Sequence, residues 1–521
     1  MFSSSVCDEI ITVQTGPLAN RVCLHLWNYE AYFSTGDCCA HTYSDSTKLS
    51  VCIPYVRQHV FCDRRSGLTI PRALAIDLPG SIDYGFHFED FGSGGQDACP
   101  FWDGQVHSVY RSNLSAPLSE IVDDCFQWTS CFSSLIRRLW RENDMICTLP
   151  NGACSPTSQT KTEETETLAF VQGLDVLRPS TALADDVDNR LRHLLERCDR
   201  PSAFRLFTDA ESGFVGLDIP LLDWWLDEFP KRPVLTFAIY NSNDVRNQDV
   251  RIQRIAQAHQ LILATRMESA DEGLTHATWI PLDLSSVSDP TLSNCQGSGI
   301  LAAGISCLTT ALQLTPNKGG LSPDDWVTLS QTGNSRRMLT ARIGFEYKGV
   351  ANGNLMWKTL NPYWTDKAQT PDVSRWREAS LRGVQMSPVG DRILQFAAAP
   401  SGTHRPTDLF GQTSYSDPVA TYPRVEVGTR VSLFPQLADF PVCLHADFGP
   451  SASCTQPPMA RVASLLDVPS DQSAEWQQLR NLVGSFKRGR TRPPLDGIEP
   501  DQWEEFVESG RQNLVDSYQK C

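Results

Sequence analysis

The stretch LFTDAESGFVGLDIPLLDWWLDEFPKRPVLTFAIY, Leu206 to Tyr240, decides the fold. Its pattern predicts a strand at 203–208, a loop with two glycines at 209–216, an apolar-faced helix near 218–229 and a strand at 234–240. That succession belongs to nucleotide-binding α/β units, in which a glycine-rich loop at a helix N-terminus cradles phosphate with backbone N–H groups. Asp209 and Glu211 lie in this loop. Each would repel a phosphate by on the order of 1 kcal/mol when exposed, and by more when dehydrated. Trp224 and Trp225 are adjacent on the helix and cannot both face one core. Either one of them is partly exposed at an interface, or the pair is buried between the sheet and the following domain.

Working outward, EIITVQ (9–14) is rich in β-branched residues and reads as a strand. TGPLAN then turns, and RVCLHLWNYEAYF carries Val22, Leu26 and Tyr29 at helical spacing. RALAID (72–77) reads as a strand ending in the turn LPGSID, and residues 88–104, rich in Gly and aromatics, as loop. Residues 150–166 hold almost no large apolar side chains and predict an exposed, disordered insertion. ALADDVDNRLRHLLERCD puts Val187, Leu191, Leu194, Leu195 and Cys198 on one helical face. A helix near 250–265, the strand HATWIPLD (276–283) and the apolar helix GILAAGISCLTTALQL (299–314) continue the alternation. Strands and helices alternating in this way argue for a parallel sheet with helices on both faces.

Beyond residue 316 the texture changes. RMLTARIGFEYKG, RILQFAAAP and RVEVGTRVSLFP read as separated strands between Pro/Ser/Thr-rich loops, and the C-terminal stretch as helices around the basic break KRGRTRPP. The expected organisation has residues 1–149 and 167–316 as two parts of one nucleotide-binding-type domain, with 150–166 inserted between them. Residues 317–470 form an α+β second domain and 471–521 a C-terminal helical segment.

The 521 residues are 41% hydrophobic and 20% charged, enough for a large buried core. A formal net charge of -16 argues against nucleic acid as the main partner. The opening MFSSSVCDEIITVQTG has neither the basic nor the apolar region of a secretory signal, so the 17 cysteines are expected as reduced thiols in a cytoplasmic protein. Cys38, Cys39 and His41, with Cys52 and Cys62 downstream, lack the C-x-x-C spacing of a zinc site, and no metal is expected.

In this order the segments resemble the tubulins: EIITVQTGPLANRVCLHLWN the first strand, loop and helix, RALAIDLPGSID the second loop, and GILAAGISCLTTALQL the core helix. PRALAIDLPGSID, FWDGQV and ERCDRPSAFRLFTDAESGFVGL more closely resemble the Misato family of tubulin-like proteins. The likeness covers roughly residues 8–115 and 165–315. It implies a tubulin-like, Rossmann-type parallel sheet. It also implies a cytoplasmic protein partly at the mitochondrial outer membrane, acting in mitochondrial distribution and morphology and in spindle or microtubule organisation. Its partners would be proteins of the cytoskeleton or the mitochondrial surface.

Set against the tubulin loops, the nucleotide positions are thinned. Gln14, Gly16 and Asn20 remain in the first loop, but Leu18 and Ala19 replace its cysteine and second glycine. Asp77 and Gly80 remain in the second loop, which has lost its internal acid. Of the glycine box only Gly216 is in register, with Ser212 and Gly213 nearby. The guanine-facing segment falls on Arg251 to Arg254 and keeps neither its Glu nor its Asn; the hydrolytic loop falls on PNKGGLSPD (316–324) and keeps only Asp324.

The expected protein is therefore non-enzymatic, with a degenerate nucleotide site, no catalytic residues and no cofactor. The alternative is an atypical GTP-binding switch or GTPase, using the Ser212, Gly213 and Gly216 amides with Asp77 or Asp209 holding Mg²⁺. Each remnant also has a plainer reading: Gly213 and Gly216 in a tight turn, Gln14 and Asn20 hydrogen-bonding the loop to itself. Lys487, Arg488, Arg490 and Arg492 cluster in an otherwise acidic chain, either as a peripheral membrane or partner contact or as a solvated linker.

Overall fold

A computed structural model describes residues 8–34, 61–63, 69–78, 146–149, 168, 170–178, 181–210, 212–241, 277–287, 294–313, 321–331, 340–345, 356–360, 393–398, 424–427 and 462–467. The expected insertion at 150–166, the helix near 250–265 and the segment 471–521 lie outside these residues.

The chain opens with β1 (Glu9–Thr15), α1 (Pro17–Ser34), the antiparallel pair β2 (Phe61–Asp63) and β3 (Thr69–Pro71), β4 (Ala73–Asp77) and β5 (Ile146–Thr148). Then come α2 (Phe170–Val176), α3 (Ala182–Leu195), β6 (Pro201–Asp209), α4 (Phe214–Glu228), β7 (Val234–Tyr240) and β8 (Ala277–Asp283). Strands β5-β4-β1-β6-β7-β8 lie side by side in that order, and every pairing among them is parallel. Counted along the chain, this is the doubly wound order 3-2-1-4-5-6. Every residue of β1, β4 and β7 is buried. Strands covered on both faces carry continuous apolar runs rather than an alternation, and that is why these segments were legible.

Two helices here differ from expectation. α4 begins at Phe214, four residues earlier than the glycines suggest, because Gly213 is its N-cap and Gly216 lies inside its first turn. Pro220 stands within α4 and cannot donate to the carbonyl four residues back. α2 was not anticipated. Its Gly173 meets α4 so closely that a Cβ there would lie 2.0 Å from the Gly213 carbonyl oxygen.

α3 starts at the N-cap Thr181, whose hydroxyl accepts from the Ala184 amide at 3.1 Å, and it buries Val187, Leu191 and Leu194. Trp225 is fully buried and stacks on Phe204 with ring centroids 5.0 Å apart. Trp224, half-buried, donates to Asp188 on α3 at 2.8 Å, so the two tryptophans divide between core and helix interface.

At the amino-terminal edge of the sheet, Glu9 and Arg72 form a buried ion pair. Glu9 also accepts from the Arg200 amide at 2.6 Å, and Arg72 donates to the Arg197 carbonyl at 2.7 Å, tying β1 and β4 to the turn before β6.

The single turn α5 (Leu284–Val287) and the helix α6 (Asn294–Thr309), which tightens at Thr310–Gln313, lead to α7 (Pro323–Gln331). Next come β9 (Thr340–Phe345), β10 (Met356–Thr359), β11 (Ile393–Ala398), β12 (Arg424–Val427) and β13 (Val462–Asp467). These form a second sheet ordered β10-β9-β13-β11-β12, antiparallel except between β11 and β12. α6 packs on α1 and on β13 at once. It buries Ile300, Leu301, Ile305 and Leu308, each contributing roughly 2 kcal/mol. Gly304 lets it approach β9, since a Cβ there would overlap Ile343 Cδ1 at 1.9 Å. No helix among the described residues is long and apolar enough to cross a membrane.

Candidate functional site

In an open sheet of this order, ligands bind in the crevice beyond the carboxyl ends of the strands flanking the reversal of strand order. Here those strands are β1 and β6. The β1–α1 turn, the end of β4 and the β6–α4 turn converge on that point.

In the first turn Gly16 has φ +89 and donates its amide to the Ile76 carbonyl at 2.9 Å. Only glycine takes that backbone conformation freely. Asn20 donates its side-chain amide to Asp77 Oδ2 at 2.7 Å and to the Ile76 carbonyl at 3.2 Å. Asp77 is fully buried, and its other oxygen accepts from the Leu78 amide at 2.7 Å. Gln14 points under α1, where its Oε1 accepts from Trp27 Nε1 at 2.9 Å. The buried Arg205 guanidinium lies 5.5 Å from the Trp27 ring centroid and 5.4 Å from that of Phe207, and it donates to Thr12 Oγ1 at 3.1 Å. Gln14 Nε2 and Asn20 Oδ1 are buried with no hydrogen-bond partner.

In the β6–α4 turn, the amides that would cradle a phosphate are used by the protein itself. Ala210 N donates to the Ile239 carbonyl at 2.9 Å, Ser212 N to the Asp209 carbonyl at 3.3 Å, and Gly213 N to the Leu168 carbonyl at 2.9 Å. Val215 N and Gly216 N donate to the Ser212 and Gly213 carbonyls at 3.4 and 2.9 Å. Phe214 N lies 3.4 Å from Ser212 Oγ, which itself donates to the Asp209 carbonyl at 3.1 Å. The Asp209 side chain turns across the crevice, and its Oδ2 accepts from Leu18 N at 3.4 Å.

Below it lies a second carboxyl. Asp218 on α4 is fully buried and accepts from Thr15 Oγ1 at 2.7 Å. Burial pushes its pKa up to about 8; the Thr208 and Thr15 hydroxyls oppose the rise, and the Asp209 charge adds to it. At neutral pH Asp218 is therefore a neutral carboxylic acid beside Asp209.

The thiols nearby are poor nucleophiles. Burial raises the pKa of Cys23 and lifts that of Cys147 to about 12, the Asp186 charge adding to the latter. Among the described residues no group of three or more His, Cys, Asp or Glu side chains is placed to hold a metal ion. Asp324 lies in the first turn of α7, away from these turns in sequence. There Ser322 Oγ accepts from Asp325 N at 3.1 Å and donates to Asp325 Oδ2 at 2.7 Å, forming a helix-starting box. Gly80, Glu211, Arg251 to Arg254 and the basic cluster Lys487, Arg488, Arg490 and Arg492 lie outside the described residues, as do Cys38, Cys39, His41 and Cys52.

No protein-family model matches the chain. Protein misato homolog 1 of Danio rerio is 22% identical over 608 aligned positions, which cover 99% of this chain and 98% of that protein. Protein DML1 of Gibberella zeae is 25% identical over 59% of this chain and 61% of its own length. Protein dml1 of Aspergillus oryzae is also 25% identical, over 46% of this chain and 48% of its own. These likenesses agree in pointing to the Misato/DML1 proteins, to which the chain is similar along its whole length in the first case. Against the two fungal relatives it matches over about half to three-fifths of their length.

The fold brings Gln14, Gly16, Asn20, Asp77, Ser212, Gly213 and Gly216 to the same end of one sheet. Sequence reasoning missed Asp218 and the contact from Asp209 to Leu18. The signal for Asp218 was available: a lone acid inside the apolar run FVGLDIPLL, on a helix whose neighbouring positions are core.

Proposed function

We propose that the chain is a non-enzymatic, tubulin-like member of the Misato/DML1 family that acts in mitochondrial distribution and morphology, as a scaffold for protein contacts. The observation that carries this reading is the state of the β6–α4 turn. The described amides there that would receive a phosphate already donate to Asp209, Leu168, Ser212, Gly213 and Ile239. A phosphate would have to displace those hydrogen bonds, each worth about 1 kcal/mol. A role in spindle or microtubule organisation extends the same reading. So does a location partly at the mitochondrial outer surface, where Lys487, Arg488, Arg490 and Arg492 meet anionic lipid or an acidic partner.

Thermal stability of the purified chain, titrated with GTP, GDP and ATP with and without Mg²⁺, tests the non-enzymatic part. A ligand at a hundred times its Kd adds roughly 2.7 kcal/mol. The expected result is no nucleotide-specific shift; a GTP-specific, Mg²⁺-dependent shift would falsify it. The mitochondrial part is tested by depleting the protein and imaging the organelle network. Collapse or clustering of mitochondria, reversed by re-expressing the full chain, is expected, and a normal network counts against the role.

The second reading, a GTP-dependent switch, draws on Gln14 Nε2 and Asn20 Oδ1, two buried polar atoms without a protein partner beside the crevice. A nucleotide base or sugar could satisfy both. The titration above decides between the two readings.

A further inference from the structure

We propose that Asp209 is a built-in anion: its carboxylate takes the position at the start of α1 that a ligand phosphate would take, and with the Phe214 ring it holds the crevice shut. This rests on the reading that no nucleotide occupies the crevice.

The first turn of a helix leaves backbone N–H groups without intrahelical partners and carries the positive end of the helix dipole, which attracts phosphate or carboxylate. α1 is 18 residues long. Its Leu18 amide is met by Asp209 Oδ2, on a side chain from β6 that is only 6% exposed. The approach is so close that an added Cβ on Gly16 would lie 2.6 Å from Asp209 Cβ and 2.9 Å from Phe214 Cδ2. The Gly16 backbone thus lies directly against Asp209 and Phe214, with no room for a side chain of its own. A phosphate bound to the Leu18 amide would have to displace the Asp209 carboxylate that now accepts from it.

The charge count is consistent with this. Asp218, a further carboxyl of the crevice, is tied to Thr15 in its neutral form and adds no competing charge beside Asp209. The backbone of Asp209 is fixed as well, since its carbonyl accepts from both the amide and the hydroxyl of Ser212. The side chain is therefore aimed from a braced turn.

Chemical rescue tests the assignment. Asp209→Ala removes the anion and leaves a small void at the end of α1. The variant's melting temperature should fall, and inorganic pyrophosphate should restore it in a saturable way. The wild-type chain is measured in parallel at the same pyrophosphate concentrations and ionic strength, which removes the general stabilisation by excluded salts. The expected outcome is a rise in the variant larger than that in the wild type by roughly 2 °C or more. Equal responses of the two proteins would overturn the assignment. If the alanine variant does not fold, Asp209→Ser, which also removes the charge and shortens the side chain, is judged by the same comparison. Wild-type protein that binds GTP would sink the non-nucleotide reading itself, an outcome distinguishable from failed rescue because it needs no substitution.

Discussion

Replacing Asp218 by asparagine should raise the stability of the protein at neutral pH and remove one component of its pH dependence. The carboxyl is fully buried on α4, and burial is the main reason its pKa rises from 3.8 to about 8. The sign follows from proton counting. Between pH 4 and pH 8 the folded state holds this proton and the unfolded chain does not, so stability falls as pH rises through that window. Each pH unit inside it is worth about 1.4 kcal/mol, which makes roughly 4 kcal/mol between pH 4 and pH 7. An asparagine has no proton to lose. Its carbonyl oxygen can still accept from Thr15, as Asp218 Oδ1 does at 2.7 Å. Its amide must find an acceptor in place of the acid's hydroxyl, a mismatch that costs about 1 kcal/mol. The net gain at pH 7 is roughly 3 kcal/mol. The assay is urea denaturation of both proteins at half-unit steps from pH 4.5 to 8.5, taking the difference so that every other titrating group cancels. That difference should grow steadily in favour of the variant up to pH 8 and then level off. A flat difference across the range would refute a neutral, buried Asp218.

Other outcomes follow from the same packing. Arg72→Met strands the Glu9 carboxylate in the core and should cost roughly 3–5 kcal/mol; the Glu9→Leu/Arg72→Met double variant should recover most of it, as read from urea midpoints. Gly173→Ala and Gly304→Ala offer a contrast. The first drives a methyl into the Gly213 backbone and the second into the movable end of Ile343, so the melting temperature should drop far more for Gly173→Ala. Trp224→Phe loses the hydrogen bond to Asp188, about 1 kcal/mol, and part of a half-buried ring, whereas Trp225→Ala empties a fully buried site and should cost roughly 3–5 kcal/mol by thermal melt.

The parallel sheet was legible because burial on both faces writes mainly apolar and β-branched runs, without a strict alternation, at 9–14, 72–77, 203–208, 234–240 and 276–283. β5 was not, being three residues long and too short to carry a period. In the second sheet the strands within RMLTARIGFEYKG, RILQFAAAP and RVEVGTRVSLFP were read, whereas β10 and the central β13 were missed. The run VASLLD suits a helix as well as a strand, and only its pairing with β9 and β11 decides. At the site, the residues marked by the family's loops were found but their partners were not. That Asp209 reaches Leu18 across 191 positions is a property of the turn geometry, which no local pattern encodes. The early start of α4 is equally hidden, because Gly213 reads as loop but caps the helix and Gly216 lies within its first turn.

α6 rests on α1 in front and on β13 behind, with Gly304 bringing it against Ile343. A chain cut between α6 and β9 would leave that helix with one side wet and its apolar residues facing solvent, so the amino-terminal sheet is a poor candidate for expression by itself. In hydrogen exchange the amides of α6 should open together with those of both sheets, which makes this helix the keel of the molecule and the wrong place to look for a hinge.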